Sequence, residues 1–408
     1  MTMHAHGLLR SVTATLVAAA AVGVLAGVSP AAAHRPDRGE VLSVVPVSDL
    51  TTAQTAAFVG GMGVDTAGVE YGVRGYRITY RTIAPDRTPT TATGLLVLPK
   101  DGRHGRLDLV ADTHGTMVNR AYAPSVGEDF GRLSPYLQAS AGRAVAAPDY
   151  LGLGQGPGRH PYMDTASSVS ASLDLLRAAR TAARGLGRPL TGDVYATGFS
   201  QGGQVAAALA KELDRGADRA FRLKALAPVS GPYDVEHAEM AGLLDGSVNP
   251  ISGVFYLSYW LTAQNRLHPI YKDPAEVFEP PYAAVVEGLF DGGHQEEEIV
   301  AALAPDVRSL LTPAFHERLV HPDGALLDAI RSNDGTCDWK PRVPVRLYTA
   351  SGDTDVVIAN SRSCAARFAA HGVQVPVVDQ GATDHFGAFR ASGPQVVEFF
   401  DSVARGNR

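Results

Sequence analysis

Gly198-Phe199-Ser200-Gln201-Gly202 is the one Gly-x-Ser-x-Gly in the chain, and nucleophilic chemistry would start there. A serine hydroxyl attacks a carbonyl only when a base takes its proton and a third group fixes the tautomer of that base and stabilises its positive form. The residue types needed follow downstream: Asp353 and Asp355 in Ser351-Gly352-Asp353-Thr354-Asp355, then His385 in Gly381-Ala382-Thr383-Asp384-His385. Of the 13 histidines, only His371 and His385 lie beyond Asp355. A developing oxyanion also needs backbone N–H donors. The first is expected from Gln201 and the second from the loop Asp112-Thr113-His114-Gly115-Thr116, at Thr116 with Gly115 as the adjacent option. His114 is expected to support that loop rather than take a proton. A chain with 43 glycines can also form a Gly-x-Ser-x-Gly as a plain turn, so the flanking elements carry the argument.

Those flanks have the required form. Residues 193–197 are β-branched and aromatic, as in a strand, whereas 203–213 are Ala-rich with Val205, Ala208 and Leu209 at helical spacing. A tight turn between the two lifts the serine out of the backbone, and flanking glycines leave it room. From Tyr76 onward strands and helices alternate. Residues 76–83 and 94–98 read as an antiparallel pair across the turn-rich 84–89, and 168–184 reads as an amphipathic helix. The runs 107–113, 144–147, 223–229 and 345–350 are short and apolar, as in buried parallel strands. The pattern predicts an α/β fold with a mostly parallel, doubly wound sheet. Asp353 and Asp355 then follow 345–350, and His385 lies in a loop after 373–378, at strand ends where open α/β sheets hold their sites.

One segment breaks the alternation. Residues 232–343 are too long for a structureless loop and are expected to form a helical cap between core segments 34–231 and 344–408. Its Phe255, Tyr256, Tyr259, Trp260, Tyr271, Phe278 and Tyr282 are expected mainly in its own core. At the amino terminus, His4, His6 and Arg10 precede an apolar run over 12–28 and the small residues Ala31-Ala32-Ala33, so 1–33 reads as a cleaved secretory signal. The run is shorter than the ~20 apolar residues of a spanning helix, so no integral membrane span is expected after cleavage. Export also favours a disulfide between the two cysteines, Cys337 and Cys364.

Two cysteines without a neighbouring Cys or His pair cannot complete a zinc shell, so no metal is expected. A formal net charge of −6, with no run of Lys or Arg, disfavours nucleic acid and anionic membranes as partners. No phosphate loop, His-Glu-x-x-His or dinucleotide fingerprint occurs, and the chemistry expected at Ser200 needs no cofactor.

With these residues in order, roughly 45–403 resembles the α/β-hydrolase superfamily, and within it the secretory lipase family of lipase A type secreted esterases and lipases. The likeness rests on Tyr76-Arg77-Ile78-Thr79-Tyr80-Arg81-Thr82, the turn that begins Ala147-Pro148-Asp149-Tyr150, the Ser200 pentapeptide, the segment 352–357 and His385. It implies a secreted Ser-His-Asp carboxylic ester hydrolase that forms an acyl-enzyme beneath its cap, acting on small-molecule or lipid esters. The Gly-x-x-Asp pattern of the superfamily assigns the acid to Asp355 and leaves Asp353 as a turn residue that bonds its own backbone. The alternatives are a capped exopeptidase or amidase with the same triad, for which Glu296-Glu297-Glu298 is the candidate anchor although it reads first as a solvated helix start, and an inactive protein that binds an apolar ligand.

Overall fold

The computed structural model of the chain describes residues 37–406, so the expected export signal lies outside them. Nine strands form one sheet among these residues: β1 (Val41–Leu50), β2 (Val73–Ile83), β3 (Pro89–Pro99), β4 (Leu107–Thr113), β5 (Ala144–Pro148), β6 (Leu190–Phe199), β7 (Arg222–Val229), β8 (Leu347–Thr349) and β9 (Val377–Asp379). Their order is β1-β2-β3-β5-β4-β6-β7-β8-β9. The pairs from β1 to β3, and β3 with β5, are antiparallel; every pair from β5 to β9 is parallel.

Alternation of side chains along each strand builds a core on both faces. In β4, Leu107, Leu109 and Ala111 pack toward the helices Thr165–Gly185 and Gln201–Asp214, while Val110 points to the opposite face. There it joins residues of the helices Leu133–Ser140 and His385–Gly406. β5 lies on one side of β4 and β6 on the other, so the loops after β4 and β6 diverge at a topological switch point. Such a crevice at strand carboxyl ends is where doubly wound sheets bind ligands.

Between β7 and β8 the chain builds a second, largely helical core. Its main helix, Pro250–Asn265, starts with Asn249 accepting hydrogen bonds from the Ile251 and Ser252 amides and with proline in its first turn. Most of this helix is buried, as expected of one apolar nearly all round. Tyr259 stacks between Tyr162 (centroids 4.1 Å apart) and Phe290 (4.7 Å), which ties the segment to the loop after β5.

Three elements differ from the sequence expectation. β1 and the helix Thr52–Gly61 extend the fold at its start; the helix opens with a capping box between Thr51 and Gln54. His385 does not lie in a loop but opens the helix His385–Gly406, because the Asp384 side chain accepts the Gly387 amide at 2.6 Å and starts the helix there. No helix among the described residues is long and apolar enough to cross a membrane.

Candidate active site

Ser200 sits between β6 and the helix Gln201–Asp214 with φ 57° and ψ −127°, a backbone conformation that L-residues rarely adopt. Its amide donates to Val229 O at 2.9 Å, which anchors the turn to β7. Glycine is required on both sides. A Cβ at Gly198 would overlap Thr113 Oγ1, and one at Gly202 would overlap Thr113 O. The Thr113 hydroxyl instead donates to Thr197 O (3.0 Å) and Gly202 O (2.7 Å), locking the loop after β4 against the turn. Ser200 makes no capping hydrogen bond with its side chain, so its hydroxyl is left for other work.

His385 reaches this turn from the last helix. It is 3 % exposed and packs on Phe199, with ring centroids 4.4 Å apart. Phe130, Phe386 and Phe389 complete the aromatic seat around Phe199. The carboxylate that meets the imidazole is Asp353, not Asp355: His385 Nδ1 stands 2.6 Å from Asp353 Oδ2. The expectation for Asp355 is therefore corrected. The other oxygen of Asp353 accepts the Asp355 and Val356 amides, each at 2.9 Å, so one carboxylate both closes its own turn and orients the histidine. Gly352 explains the approach, since a Cβ there would collide with Ala382 and Thr383 of the loop leading to His385. Only a glycine lets the two loops pack that closely. Asp355 projects elsewhere, into the cavity, where the Tyr256 hydroxyl lies 3.3 Å from its Oδ2.

The remaining ring nitrogen, His385 Nε2, is buried with no hydrogen-bond partner. His385 and Ser200 line the same cavity, of about 550 Å³. Two other histidines nearby cannot serve as a base in the same way. His160 donates from Nδ1 to Leu151 O at 2.8 Å, and burial pushes its pKa down to about 3. Burial also holds His114 below the usual imidazole range; its Nδ1 is spent on Gly115 O at 2.7 Å, and Tyr150 packs against its ring. His114 thus supports its loop.

That loop lies beside the serine. A Cβ at Gly115 would come within 3.2 Å of Ser200 Cβ, and Thr116 lines two cavities that meet at Ser200. Among the described residues, neither the Thr116 nor the Gln201 amide donates a hydrogen bond. Gln201 also opens its helix, so its amide carries the positive end of the helix dipole. The Thr116 hydroxyl is held by Tyr162 OH at 2.7 Å. Asp149, from the turn after β5, accepts from Thr93 Oγ1, Ser125 N and Ser125 Oγ, and so fastens the segments behind the loop.

The second cavity, of about 70 Å³, is narrow and mostly apolar, with Val235, Met240, Leu243, Leu257 and Trp260 on its walls. Phe255 and Tyr256 line the larger cavity and Tyr256 and Trp260 the smaller one, whereas Tyr259, Tyr271 and Phe278 are core. Glu239 also faces the narrow cavity. Burial pushes it up to about 8, with Asp353 and Asp355 adding repulsion against a donor from Asn360. Glu239 carries no signal in the sequence, and Asp353 stands there beside Asp355 but is assigned to the turn; the pairing with His385 depends on how two loops meet. A disulfide joins Cys337 to Cys364, fastening the end of the helical segment to the helix Ala359–Ala370.

No family model and no curated protein sequence matches the chain. Solved structures do. The esterase LipA of Xanthomonas oryzae, described as degrading the rice cell wall, is 30% identical with a TM-score of 0.79; the match covers 91% of this chain and 100% of that one. A protein of Legionella pneumophila subsp. pneumophila str. Philadelphia 1, provisionally designated a hydrolase, is 26% identical with a TM-score of 0.82, covering 90% of this chain and 98% of that one. Candida antarctica lipase A in its closed state shares the fold at 12% identity and a TM-score of 0.66, over 92% of this chain and 84% of that one.

Proposed function

Since the chain belongs to the lipase A type family of α/β-hydrolases and is an esterase- or lipase-like hydrolase, we propose that it is a secreted serine carboxylic ester hydrolase. The observation that carries this reading is the alignment of Asp353, His385 and an unpartnered Nε2 on the cavity that Ser200 lines. His385 Nε2 takes the Ser200 proton as the hydroxyl oxygen attacks the ester carbonyl. Asp353 holds Nδ1–H and stabilises the imidazolium. The amides of Gln201 and Thr116 receive the oxyanion, the alcohol leaves with the proton from His385, and water activated by the same histidine releases the acid. A narrow apolar pocket of about 70 Å³ beside Ser200 favours a short acyl group, with the larger cavity receiving the alcohol. The disulfide and the amino-terminal pattern support export.

The test is hydrolysis of p-nitrophenyl esters from acetate to palmitate, with fluorophosphonate labelling alongside. Short chains should be preferred, one adduct should form at Ser200, and Ser200→Ala should lose about 10⁶-fold in kcat. Turnover that survives in Ser200→Ala sinks the assignment. One observation also favours the amidase reading, because Glu296 and Glu297 line the larger cavity and offer an anchor for an amino terminus. Aminoacyl p-nitroanilides hydrolysed faster than acyl esters would transfer the conclusion to it.

A further inference from the structure

The larger cavity carries charge of one sign. Asp129, Glu296, Glu297 and Asp355 line it and no Lys or Arg does; Asp355 also lines the narrower one, beside Glu239, whose carboxyl burial pushes up to about 8, so that it keeps its proton at neutral pH. Among the described residues none of these five carboxylates is in a salt bridge. Their charges oppose one another: burial raises Glu296, and Glu297 and Asp355 raise it further. A second observation marks the same cavity as the place where a ligand reacts, namely the 3 %-exposed His385 with Nε2 unpartnered on its wall. Among the described residues no group of three or more acidic, His or Cys side chains converges to hold a metal ion. The field therefore suits a diffuse organic cation, and Tyr122, Phe130, Phe255 and Tyr256 supply aromatic faces that attract one.

We propose that this cavity selects esters whose alcohol carries an ammonium group, with Asp355, which lines both cavities that Ser200 lines, as the specificity-determining carboxylate. The inference rests on the ester-hydrolase reading and adds the charge of the substrate to it. Asp355 suits the task because Asp353 has taken its expected place beside His385, and because it lines both cavities together with Ser200. An ammonium head seated between Asp355, Glu296 and the Tyr256 ring would leave the ester linkage reaching back to Ser200.

The test compares butyrylcholine with its uncharged isostere, 3,3-dimethylbutyl butyrate, on the purified protein. At low salt kcat/KM should favour the choline ester by about tenfold or more, and the preference should shrink toward unity as salt screens the cavity. Asp355→Asn and Glu296→Gln should each lower the ratio of the two substrates, whatever they do to the neutral ester. Tetramethylammonium should compete with the choline ester in the unaltered protein, which keeps the test decisive if a variant does not fold. Ser200-dependent hydrolysis with no preference for the cation, or with a preference that salt leaves intact, overturns the charge selectivity alone. Absence of Ser200-dependent turnover on both esters overturns the hydrolase reading and this inference with it.

Discussion

Asp353 and Asp355 stand two residues apart in one turn, yet their side chains face two different regions of the molecule. On the sheet side of Ser200, carboxylates are filled by donors: Asp353 takes two amides and an imidazole, Asp149 an amide and two hydroxyls. On the side of the helical segment between β7 and β8, Asp355 receives one tyrosine hydroxyl at 3.3 Å, and Glu239 one asparagine amide. A buried carboxylate whose oxygens are all engaged is held to one geometry, as an orienting group must be. A carboxylate facing a cavity keeps its oxygens for whatever enters. The same residue type thus takes two roles according to the loops that surround it.

The largest effect that tests this contrast is on turnover. Asp353→Asn should lower kcat on p-nitrophenyl butyrate by about 10⁴-fold, because an asparagine cannot hold the tautomer with Nε2 free to accept a proton. Asp355→Asn should cost about tenfold or less on the same neutral ester. The reverse ranking would return the acid role to Asp355.

A middle-sized effect concerns how the helical segment between β7 and β8 is fastened. Replacing Cys337 and Cys364 by Ser should lower stability by about 3 kcal/mol, since their link closes a loop spanning 27 positions. Denaturant midpoints of the oxidised protein and the double variant measure it. Equal midpoints would show that the apolar contacts of the helical segment fasten it without the link.

The smallest effect is on pH and stability. Glu239 gives up its proton near 4.5 when unfolded but is held up to about 8 when folded. The unfolded state therefore binds fewer protons between those values, and stability should fall as pH rises from about 4.5 to about 8, then level off. Glu239→Gln keeps an acceptor for Asn360 and should flatten that decline. Unfolding midpoints at pH 5 and pH 8 decide it, and parallel curves for the two proteins would remove Glu239 from the contrast.

Much of the frame was legible in the sequence because it follows local periodicity. The 76–83 and 94–98 runs fall within β2 and β3, pairing Ile78 with Gly94, and the run at 107–113 coincides with β4. Residues 373–378 gave a shorter strand than expected, Val377–Asp379. β1 and the helix after it escaped notice, although Thr51 and Gln54 carried a capping signal. The last helix was obscured by Gly387, Gly393 and Pro394, residues that usually end helices and here lie inside one.

By itself the sequence determined where Ser200, the proposed nucleophile, stands. A glycine-flanked serine between a strand and a helix leaves the backbone one tight course, and that constraint is local. Which aspartate serves the histidine was beyond it. Asp353 and Asp355 share one turn, and the choice between them depends on Gly352 letting that turn press against Ala382 and Thr383, 30 residues along the chain. Tertiary packing made that choice, because a contact between two loops depends on the elements that carry both.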